Sequence, residues 1–471
     1  MSKPNLLVFL PDQLRADMVI GESARNVHAP NIRKLATESI VFERTYVTQP
    51  ICAPSRSSLL SGTWPHQNGC VNNQSALSPR FRCFPEMLGD ADYATGYLGK
   101  WHLGDEFSAQ RGFNEWVSVE EYFKSANSDR PVAGVSDYTK FLLSKGYKPD
   151  LGERKYFGRR FVHALPFEES STKFLEGKAC DFLERRRDRP FVLFVSFVEP
   201  HAPYEGPFNN EHSIDAVPLD DSATDTFGDE MPLRYRLRQE FFRMRIGSIA
   251  EYKEIKKKYL GLITQVDLCI GAILTRLEQL GLAERTITVL TSDHGDLVGA
   301  HGLVGKRLMF DPSARVPYLI RLPGRHPMRY SWPISHIDFV PTLLELLGKP
   351  ADPQCAGESR ASILRDETNA IGPVFLEWSP GREKINKHTK LASKRAIERC
   401  LSESTRAVVS PDSWKLCLRD KDKNELYNLR EDPGERHNLC YQRAHREVVD
   451  RLTNEIRRWQ ETTGDSVKLR P

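Results

Sequence analysis

The chain has 471 residues, of which 39% are hydrophobic and 28% are charged, as in a globular protein with a substantial core. Its 67 Lys and Arg residues against 63 Asp and Glu residues leave a formal charge of only +4, so the charge balance gives no reason to expect a nucleic-acid partner. No apolar run in the sequence reaches the ~18 residues that a membrane span needs, and we expect no membrane partner.

The N-terminal region begins with a short apolar run at residues 6–10, which Pro11 ends at the length of a β-strand. A secretory signal has a longer apolar region followed by small residues, so we expect a cytoplasmic protein. The nine cysteines are scattered and form no C-x-x-C pair, which fits free thiols in a reducing compartment. We interpret eight of them as packing residues and Cys52 as the exception.

Segments with the patterns of strands and helices alternate through the first three quarters of the chain. The predicted strands cover residues 6–10, 93–98, 191–198, 286–290 and 317–321. The predicted helices cover residues 30–38, 259–280 and 337–347, and the last two end before Gly281 and Gly348. This alternation predicts an α/β domain over residues 1–348, with a doubly wound, mostly parallel sheet flanked by helices.

The pattern changes after about Gly348. Short strands are predicted at residues 374–378, 406–409 and 414–418, and a long helix at residues 442–462. Together they predict a smaller C-terminal α+β subdomain over residues 349–471, built from an antiparallel sheet and a helix. The stretches 105–190 and 205–258 are polar and weakly periodic, and we interpret them as insertions that shape a pocket.

Three of the predicted strands end in side chains that bind metals or anions. The first strand leads into Asp12-Gln13, the strand at 191–198 into Glu199-Pro200-His201, and the strand at 286–290 into Asp293-His294. Each segment alone is more simply a loop carboxylate or a helix cap. Because open α/β sheets bind ligands beyond the carboxyl ends of their strands, the coincidence of three favours one shared site.

The segment from Cys52 to Gly62 is the most specific in the chain. Pro54 suits the first turn of a helix, which places Cys52 at the helix N-terminus. Free amides and the helix dipole favour an anion or a developing negative charge at that position. Composition alone leaves a reactive thiolate and a buried cysteine before a helix as alternatives.

This segment resembles the sulfatase signature C-x-P-S-R-x-x-x-L-x-G at all six of its fixed positions. The run from Gly99 to Gly104 resembles the second signature of that family, G-K-W-H-L-G. Further matches, in the order of the family, are Pro11-Asp12-Gln13, Glu199-Pro200-His201, Asp293-His294-Gly295 with Lys306, and residues 425–433. The chain is therefore similar, over nearly its whole length, to the type I, formylglycine-dependent sulfatases of the alkaline phosphatase-like superfamily.

The resemblance implies hydrolysis of sulfate esters to an alcohol and inorganic sulfate. It implies that a formylglycine-generating enzyme converts Cys52 to formylglycine, whose hydrate offers one hydroxyl to attack sulfur and another to expel sulfate later. The implied ligands of one divalent metal are Asp12, Gln13, Asp293, His294 and the modified Cys52. Calcium is favoured because oxygen ligands dominate, and manganese is the alternative because one ligand is an imidazole.

The resemblance also implies catalytic roles for five further side chains. Arg56 would orient the nucleophile, while Lys100 and Lys306 would hold the sulfate oxygens and neutralise charge in the transition state. His102 would be the base that releases sulfate. His201, together with Lys306, would protonate the leaving alkoxide.

Four residues in family-like contexts match less closely. Asn73 lies where relatives place an amide that contacts the sulfate, so we expect it to bind substrate. Asp296, Arg315 and Asp338 are better explained by structural roles.

Two alternatives remain beside the sulfatase interpretation. The first is a phosphonate monoester or phosphodiester hydrolase of the same superfamily, which would share the formylglycine and the metal ligands. Lys100 and His102 favour the sulfatase, because the phosphonate hydrolases replace both positions. The second is a catalytically silent binding protein on this fold, which is disfavoured because no nucleophile or ligand is lost. The expected substrate is a small-molecule or saccharide sulfate ester, with carbohydrate, aryl and alkyl sulfates all open.

Overall fold

The structure is a computed structural model that describes residues 3–21, 23–121, 134–151, 155–365, 372–386 and 388–470. The strands are β1 Asn5–Phe9, β2 Ile40–Tyr46, β3 Ala94–Gly99, β4 Glu115–Val117, β5 Phe191–Ser196, β6 Thr286–Thr291, β7 Arg315–Val316, β8 Tyr318–Arg321, β9 Met328–Ser335, β10 Val374–Trp378, β11 Thr405–Val409, β12 Trp414–Arg419 and β13 Glu425–Asn428. The α-helices are α1 Pro30–Thr37, α2 Cys52–Ser61, α3 Pro65–Asn68, α4 Phe84–Leu88, α5 Asp137–Ser144, α6 Arg159–His163, α7 Ser171–Arg186, α8 Leu233–Arg245, α9 Ile249–Gln279, α10 Asp311–Ala314, α11 Phe339–Leu346, α12 Lys394–Leu401 and α13 Arg446–Thr463.

The larger sheet has parallel strands at its centre. Its order is β4-β3-β5-β1-β6-β8-β2-β7, and β9 pairs with β2 outside this path. The neighbours β3, β5, β1 and β6 all run in the same direction. β8 is antiparallel to both β6 and β2, so the sheet becomes mixed toward one side. The predicted α/β fold with a mostly parallel sheet is confirmed.

Helices cover both faces of this sheet. On β1, Leu7 and Phe9 pack into the core formed with α1, α7 and α9, whereas Leu6 and Val8 pack into the core formed with α2, α4 and α11. All four side chains are fully buried. A strand buried on both faces needs apolar residues at every position, which explains why residues 6–10 form a continuous apolar run.

The predicted insertion over residues 105–190 contains a helix of the main fold. α7 buries Leu175, Phe182 and Leu183 against the sheet and α9. Charged residues on its exposed face dilute the apolar spacing, which is why the sequence pattern looked weakly periodic. Residues 122–133 and 152–154 of this stretch lie outside the described residues. The second predicted insertion, 205–258, likewise contains α8 and the first turns of α9.

α9 is a core helix that begins at Ile249, earlier than the predicted start at residue 259. Its first turns carry several Lys and Glu residues, which hide the helical pattern in the sequence. Its length and composition alone would suit a membrane span, but 72% of its most apolar window is buried inside the fold. Its apolar surface is therefore already covered by the protein's own sheet and helices.

The C-terminal part contains the second sheet. β10, β11, β12 and β13 pair in chain order, and every pairing is antiparallel. α13 packs on one face of this sheet through Leu452 and Ile456. The predicted antiparallel sheet with a helix is confirmed, although α13 begins at Arg446 instead of residue 442. None of the nine cysteines, all within the described part of the chain, forms a disulfide.

Candidate active site

The site lies where four neighbouring parallel strands end. β1 leads to Asp12, β3 to Lys100, β5 to His201 and β6 to Asp293. Because β3, β5, β1 and β6 are adjacent and parallel, the residues that follow them meet at one edge of the sheet. The structure thus brings together the segments that the sequence placed at separate strand ends, with Lys100 in addition.

Four buried side chains form a cluster that fits a metal ion. The ligand atoms of Asp12, Cys52, Asp293 and His294 all lie within 4.8 Å of one another. The His294 Nε2 atom is 3.2 Å from the Cys52 Sγ atom, and its Nδ1 atom lies 2.9 Å from the Gly295 carbonyl oxygen, which orients the ring. The Asp12 Oδ1 atom is buried without a hydrogen-bond partner among the described residues. Carboxylate oxygens beside one imidazole suit a divalent cation.

Gln13 presents its side-chain oxygen to the same region. Its Nε2 atom donates to Asp296 and lies 3.3 Å from the Tyr204 hydroxyl, which fixes the orientation of the amide. Its Oε1 atom accepts a hydrogen bond of 2.6 Å from Lys306, and its backbone N–H donates to Asp293 Oδ1 at 3.0 Å. Because Nε2 is held on the other side, the Gln13 Oε1 atom, which a cation would bind, faces the cluster of candidate ligands.

Cys52 is the first residue of α2, whose ten residues are all buried. Its Sγ atom is 3.2 Å from the Lys306 Nζ atom and 4.0 Å from the Lys100 Nζ atom. Burial and the charge of Asp12 would each raise the pKa of the thiol, but Lys100, Lys306 and His294 outweigh them and lower it to about 6. The surroundings of this atom therefore stabilise negative charge, as a nucleophile requires.

Two of the predicted site residues, Arg56 and Asn73, hold the groups around Cys52 in place. Arg56, one turn after Cys52, donates through Nε to Asp293 at 2.8 Å and through Nη1 to the Lys100 carbonyl oxygen at 2.8 Å. Asn73 accepts a hydrogen bond of 3.0 Å from the Ala53 N–H through its Oδ1 atom. In these positions Arg56 fixes a ligand of the metal cluster, and Asn73 caps the first turn of α2.

Lys100 and His102 lie on the turn that follows β3. Lys100 is fully buried, forms an ion pair with Asp12 and lies 3.7 Å from Glu120. Glu106 accepts the backbone N–H groups of Trp101 at 3.2 Å and of His102 at 2.9 Å, which fixes the turn. Burial, followed by the charges of Lys100 and Arg56, holds the pKa of His102 well below its ordinary value. His102 is therefore neutral at pH 7 and able to accept a proton.

His201 is held by a residue that the sequence motifs did not indicate. The Arg159 Nη1 atom lies 2.9 Å from the His201 Nδ1 atom, and Arg159 also pairs with Glu120. Burial and the charges of Lys306 and Arg159 hold the pKa of His201 well below its ordinary value. Glu120 and Arg159 come from the stretch that we had interpreted as an insertion, where no motif marks them.

The three residues expected to be structural make framework contacts. Asp296 accepts the backbone N–H groups of Val298 and Gly305, each at 2.8 Å. Asp338 accepts from Arg360 Nε at 2.8 Å, and Arg315 donates to the Glu43 carbonyl oxygen at 3.3 Å. Asp296 also fixes Gln13, so it acts on the site through that side chain.

Comparisons with known proteins agree with this geometry. The family model described as Sulfatase matches residues 4–349, and one described as N-sulphoglucosamine sulphohydrolase, C-terminal, matches residues 299–462. The chain is 29% identical to the uncharacterized sulfatase YidJ of Escherichia coli, over 93% of this chain and 83% of that protein. It is 26% identical to an N-acetylglucosamine-6-O-sulfatase of Bacteroides thetaiotaomicron, over 98% of this chain and 88% of that protein. Among solved structures, a phosphonate monoester hydrolase from Silicibacter pomeroyi superposes with a TM-score of 0.78 at 21% identity, over 98% of this chain and 96% of that one.

Proposed function

The chain belongs to the sulfatase family and is a sulfuric ester hydrolase, and we propose that it cleaves the sulfate ester of a saccharide or another small molecule with a formylglycine at position 52. One observation carries this proposal. Cys52 lies buried at the start of α2, beside a candidate metal cluster and within 3.2 Å of Lys306 and 4.0 Å of Lys100. A saccharide is favoured because one curated relative is an N-acetylglucosamine-6-O-sulfatase.

Two groups complete the proposed site. A formylglycine at position 52, made by a formylglycine-generating enzyme, would supply as its hydrate one hydroxyl for attack on sulfur and a second whose deprotonation rebuilds the aldehyde and releases sulfate. Asp12, Gln13, Asp293, His294 and residue 52 would hold one divalent cation, calcium in preference to manganese, which would polarise the sulfate oxygens and lower the pKa of the attacking hydroxyl. The uncoordinated Asp12 Oδ1 atom fits that role.

The remaining side chains would move protons and neutralise charge. Lys100 and Lys306 would hold the sulfate oxygens, where charge grows as the ester bond breaks. The leaving alkoxide would take a proton from Lys306, and His201, which Arg159 orients, would hydrogen-bond the same oxygen. His102, neutral at pH 7, would accept the proton from the second hydroxyl as sulfate departs.

The alternative substrate class is a phosphonate ester. The similarity to a phosphonate monoester hydrolase structure concerns the fold alone. Lys100 and His102 favour a sulfate ester, because both match the sulfatase signature at positions that the phosphonate hydrolases replace.

The test combines mass spectrometry with matched substrates. The full-length chain, co-produced with a formylglycine-generating enzyme, should carry an aldehyde in place of the Cys52 thiol. It should hydrolyse 4-nitrophenyl sulfate with a higher kcat/KM than 4-nitrophenyl phenylphosphonate, and Cys52→Ala should remove both activities without changing the fold. Substantial turnover by Cys52→Ala would overturn the proposed nucleophile, and a preference for the phosphonate would overturn the substrate class.

A further inference from the structure

Arg307 contacts the loop that leads to Cys52 but belongs to neither the metal cluster nor the implied sulfate ligands. It follows Lys306, and its backbone N–H donates to the Pro50 carbonyl oxygen at 3.0 Å, two residues before Cys52. Its own carbonyl oxygen accepts a hydrogen bond of 3.1 Å from Arg234. Its φ of 88° is in the left-handed region, which is uncommon for a non-glycine residue. The backbone is therefore fixed against the loop that carries residue 52.

The guanidinium of Arg307 is not neutralised by its neighbours. Among the described residues it makes no hydrogen bond or ion pair, although it is only partly exposed. The carboxylate that raises its pKa is Glu383, which already pairs with Arg234 at 3.0 Å and with Arg238. Burial lowers the pKa of Arg307, and the positive charges of Arg238 and Arg234 lower it further. An oxyanion beside Arg307 would relieve this excess of positive charge.

The segment that carries Glu383 also borders the active site. A Cβ atom at Gly381 would lie 3.7 Å from the Cβ atom of Asn72, whose neighbour Asn73 caps α2. Arg382 and Lys384, on either side of Glu383, are exposed. The C-terminal part of the chain therefore contacts the loop that carries Asn72 and Asn73, and the contacting segment is rich in positive charge.

We propose that Arg307 binds a second anionic group of the substrate, so that the preferred ester carries a further sulfate or a carboxylate beside the sulfate that is cleaved. This inference rests on the proposed function, because it assumes that the scissile sulfate binds at residue 52 and Lys306. A guanidinium presents two parallel N–H groups that match a carboxylate or sulfate. A substrate with one charge would satisfy Lys100 and Lys306 and would leave Arg307 without a counterion.

The test compares substrates that differ by one charge. We expect Arg307→Gln to lower the ratio of kcat/KM for D-glucosamine 2-N,6-O-disulfate to that for N-acetylglucosamine 6-O-sulfate by about 10- to 100-fold, the range for a lost charge-assisted hydrogen bond. Arg307→Lys should retain part of the preference for the disulfate, because lysine keeps the positive charge but lacks the two parallel N–H groups of the guanidinium. A 6-O-sulfated disaccharide that contains a uronic acid is compared with the disulfate. The comparison shows whether Arg307 prefers a carboxylate or a second sulfate. Arg395→Gln is the control, because Arg395 is exposed on α12 and lines a different groove.

Binding and stability measurements separate this inference from the proposed function. In the Cys52→Ala background, calorimetry should show that Arg307→Gln weakens binding of the disulfate more than binding of the monosulfate, which requires no turnover. Equal losses for both sugars would overturn the second anionic subsite while leaving a sulfatase. A wild type that releases sulfate from no ester would overturn the proposed function, and the calorimetric comparison would still decide the role of Arg307. A fall of several degrees in the melting temperature of Arg307→Gln would assign Arg307 a structural role and overturn the inference.

Discussion

Lys100 and His102 occupy one short turn, and the structure gives them different environments. The Lys100 ammonium is buried against Asp12, whereas the His102 backbone is held by Glu106 and its ring is neutral. A point charge 4.0 Å from Cys52 Sγ and a neutral imidazole are thus carried by the same segment. A substitution can remove either side chain, Lys100 or His102, without deleting a residue from the turn.

We expect Lys100→Thr and His102→Ala each to lower kcat for an aryl sulfate by about 10²–10⁴-fold, the range for a positioned electrostatic or acid–base group. Losses toward a matched aryl phosphonate ester should be smaller, because release of its product depends less on the base. Steady-state kinetics with both esters measure the two losses. Lys178→Thr, an exposed position on α7, is the control and should change neither rate more than about twofold. Equal losses for both esters would remove the main reason for preferring sulfate.

Asp12 and Asp293 supply the carboxylates of the candidate metal cluster. We expect Asp12→Asn and Asp293→Asn to lose bound divalent metal and activity together, whereas Asp92→Asn, whose side chain is 71% exposed, should keep both. Chelation should lower the activity and the melting temperature of the wild type, because a ligand that binds only the folded state stabilises it, by about 4 kcal/mol at 1,000 times its Kd. Metal analysis, thermal denaturation and recovery with calcium or manganese test this. Full activity in metal-free protein would rule out the site.

At the scale of elements, Gly99 shows how closely the strands that carry the site are packed. It ends β3 with a φ of +112°, and a Cβ atom there would lie 1.9 Å from the Ser196 carbonyl oxygen on β5. We expect Gly99→Ala to lower the free energy of unfolding by about 2–4 kcal/mol and to displace the adjacent Lys100, with loss of activity. Gly177→Ala is the matched control, because among the described residues no atom outside the adjoining backbone of α7 lies within 4 Å of the added methyl. It should stabilise the protein by up to about 1 kcal/mol, and urea unfolding compares the two.

The elements predicted from sequence were those with one uniform pattern. β1, β5 and β6 are buried on both faces; β1 and β5 are mainly apolar, and β6 is rich in β-branched residues. β2 was missed because Glu43 and Arg44 interrupt it, and a shift of register between Phe42 and Arg44 breaks the alternation that marks a strand. β9 pairs with β2 and was missed as well, since Pro333 and exposed polar residues disguise it.

The sequence predicts those site residues that belong to recognisable motifs. Asp12, Asp293 and His294 follow strands, so their meeting at one edge follows from topology. Arg159 and Arg307 could not be found in that way. Arg159 begins the short helix α6 and Arg307 lies on a loop, and tertiary packing sets where each of them lies. Composition identifies them only as two among 67 basic residues.

At the scale of the whole molecule, one buried ion pair ties the end of the chain to the smaller sheet. Arg406 on β11 donates to both oxygens of Asp465, at 2.8 and 2.7 Å, and each side chain is 2% exposed. Burial would raise the pKa of Asp465, but the hydrogen bonds and charge of Arg406 hold it below its ordinary value. The ionised carboxylate therefore stabilises the fold, and this contribution is lost as the pH falls through the lowered pKa.

We expect Asp465→Asn to lower the free energy of unfolding by about 3 kcal/mol at pH 7, because it leaves the Arg406 guanidinium buried without its counterion. The loss should be the same at all pH values above about 4, the pKa of Asp in an unfolded chain, and should shrink below it. Urea unfolding between pH 2.5 and pH 7 measures this, because the change is expected between the unfolded pKa and the lower folded pKa. Asp412→Asn, in an ion pair whose side chains are 46% and 52% exposed, should change stability by less than about 1 kcal/mol. A loss from Asp465→Asn that is independent of pH would exclude ionisation as its source.

The burial of α2 also limits when residue 52 is accessible to another enzyme. Cys52 is 1% exposed, and no residue of its helix reaches the surface. On the proposed formylglycine at position 52, the oxidising enzyme could not bind this segment in its own active site once the chain has folded, so oxidation of Cys52 and folding would compete during synthesis. A molecule that folds first would keep its thiol. We therefore expect the active fraction of a preparation to depend on the relative rates of translation, oxidation and collapse, and refolded thiol protein to stay inactive whatever oxidising enzyme is added afterwards.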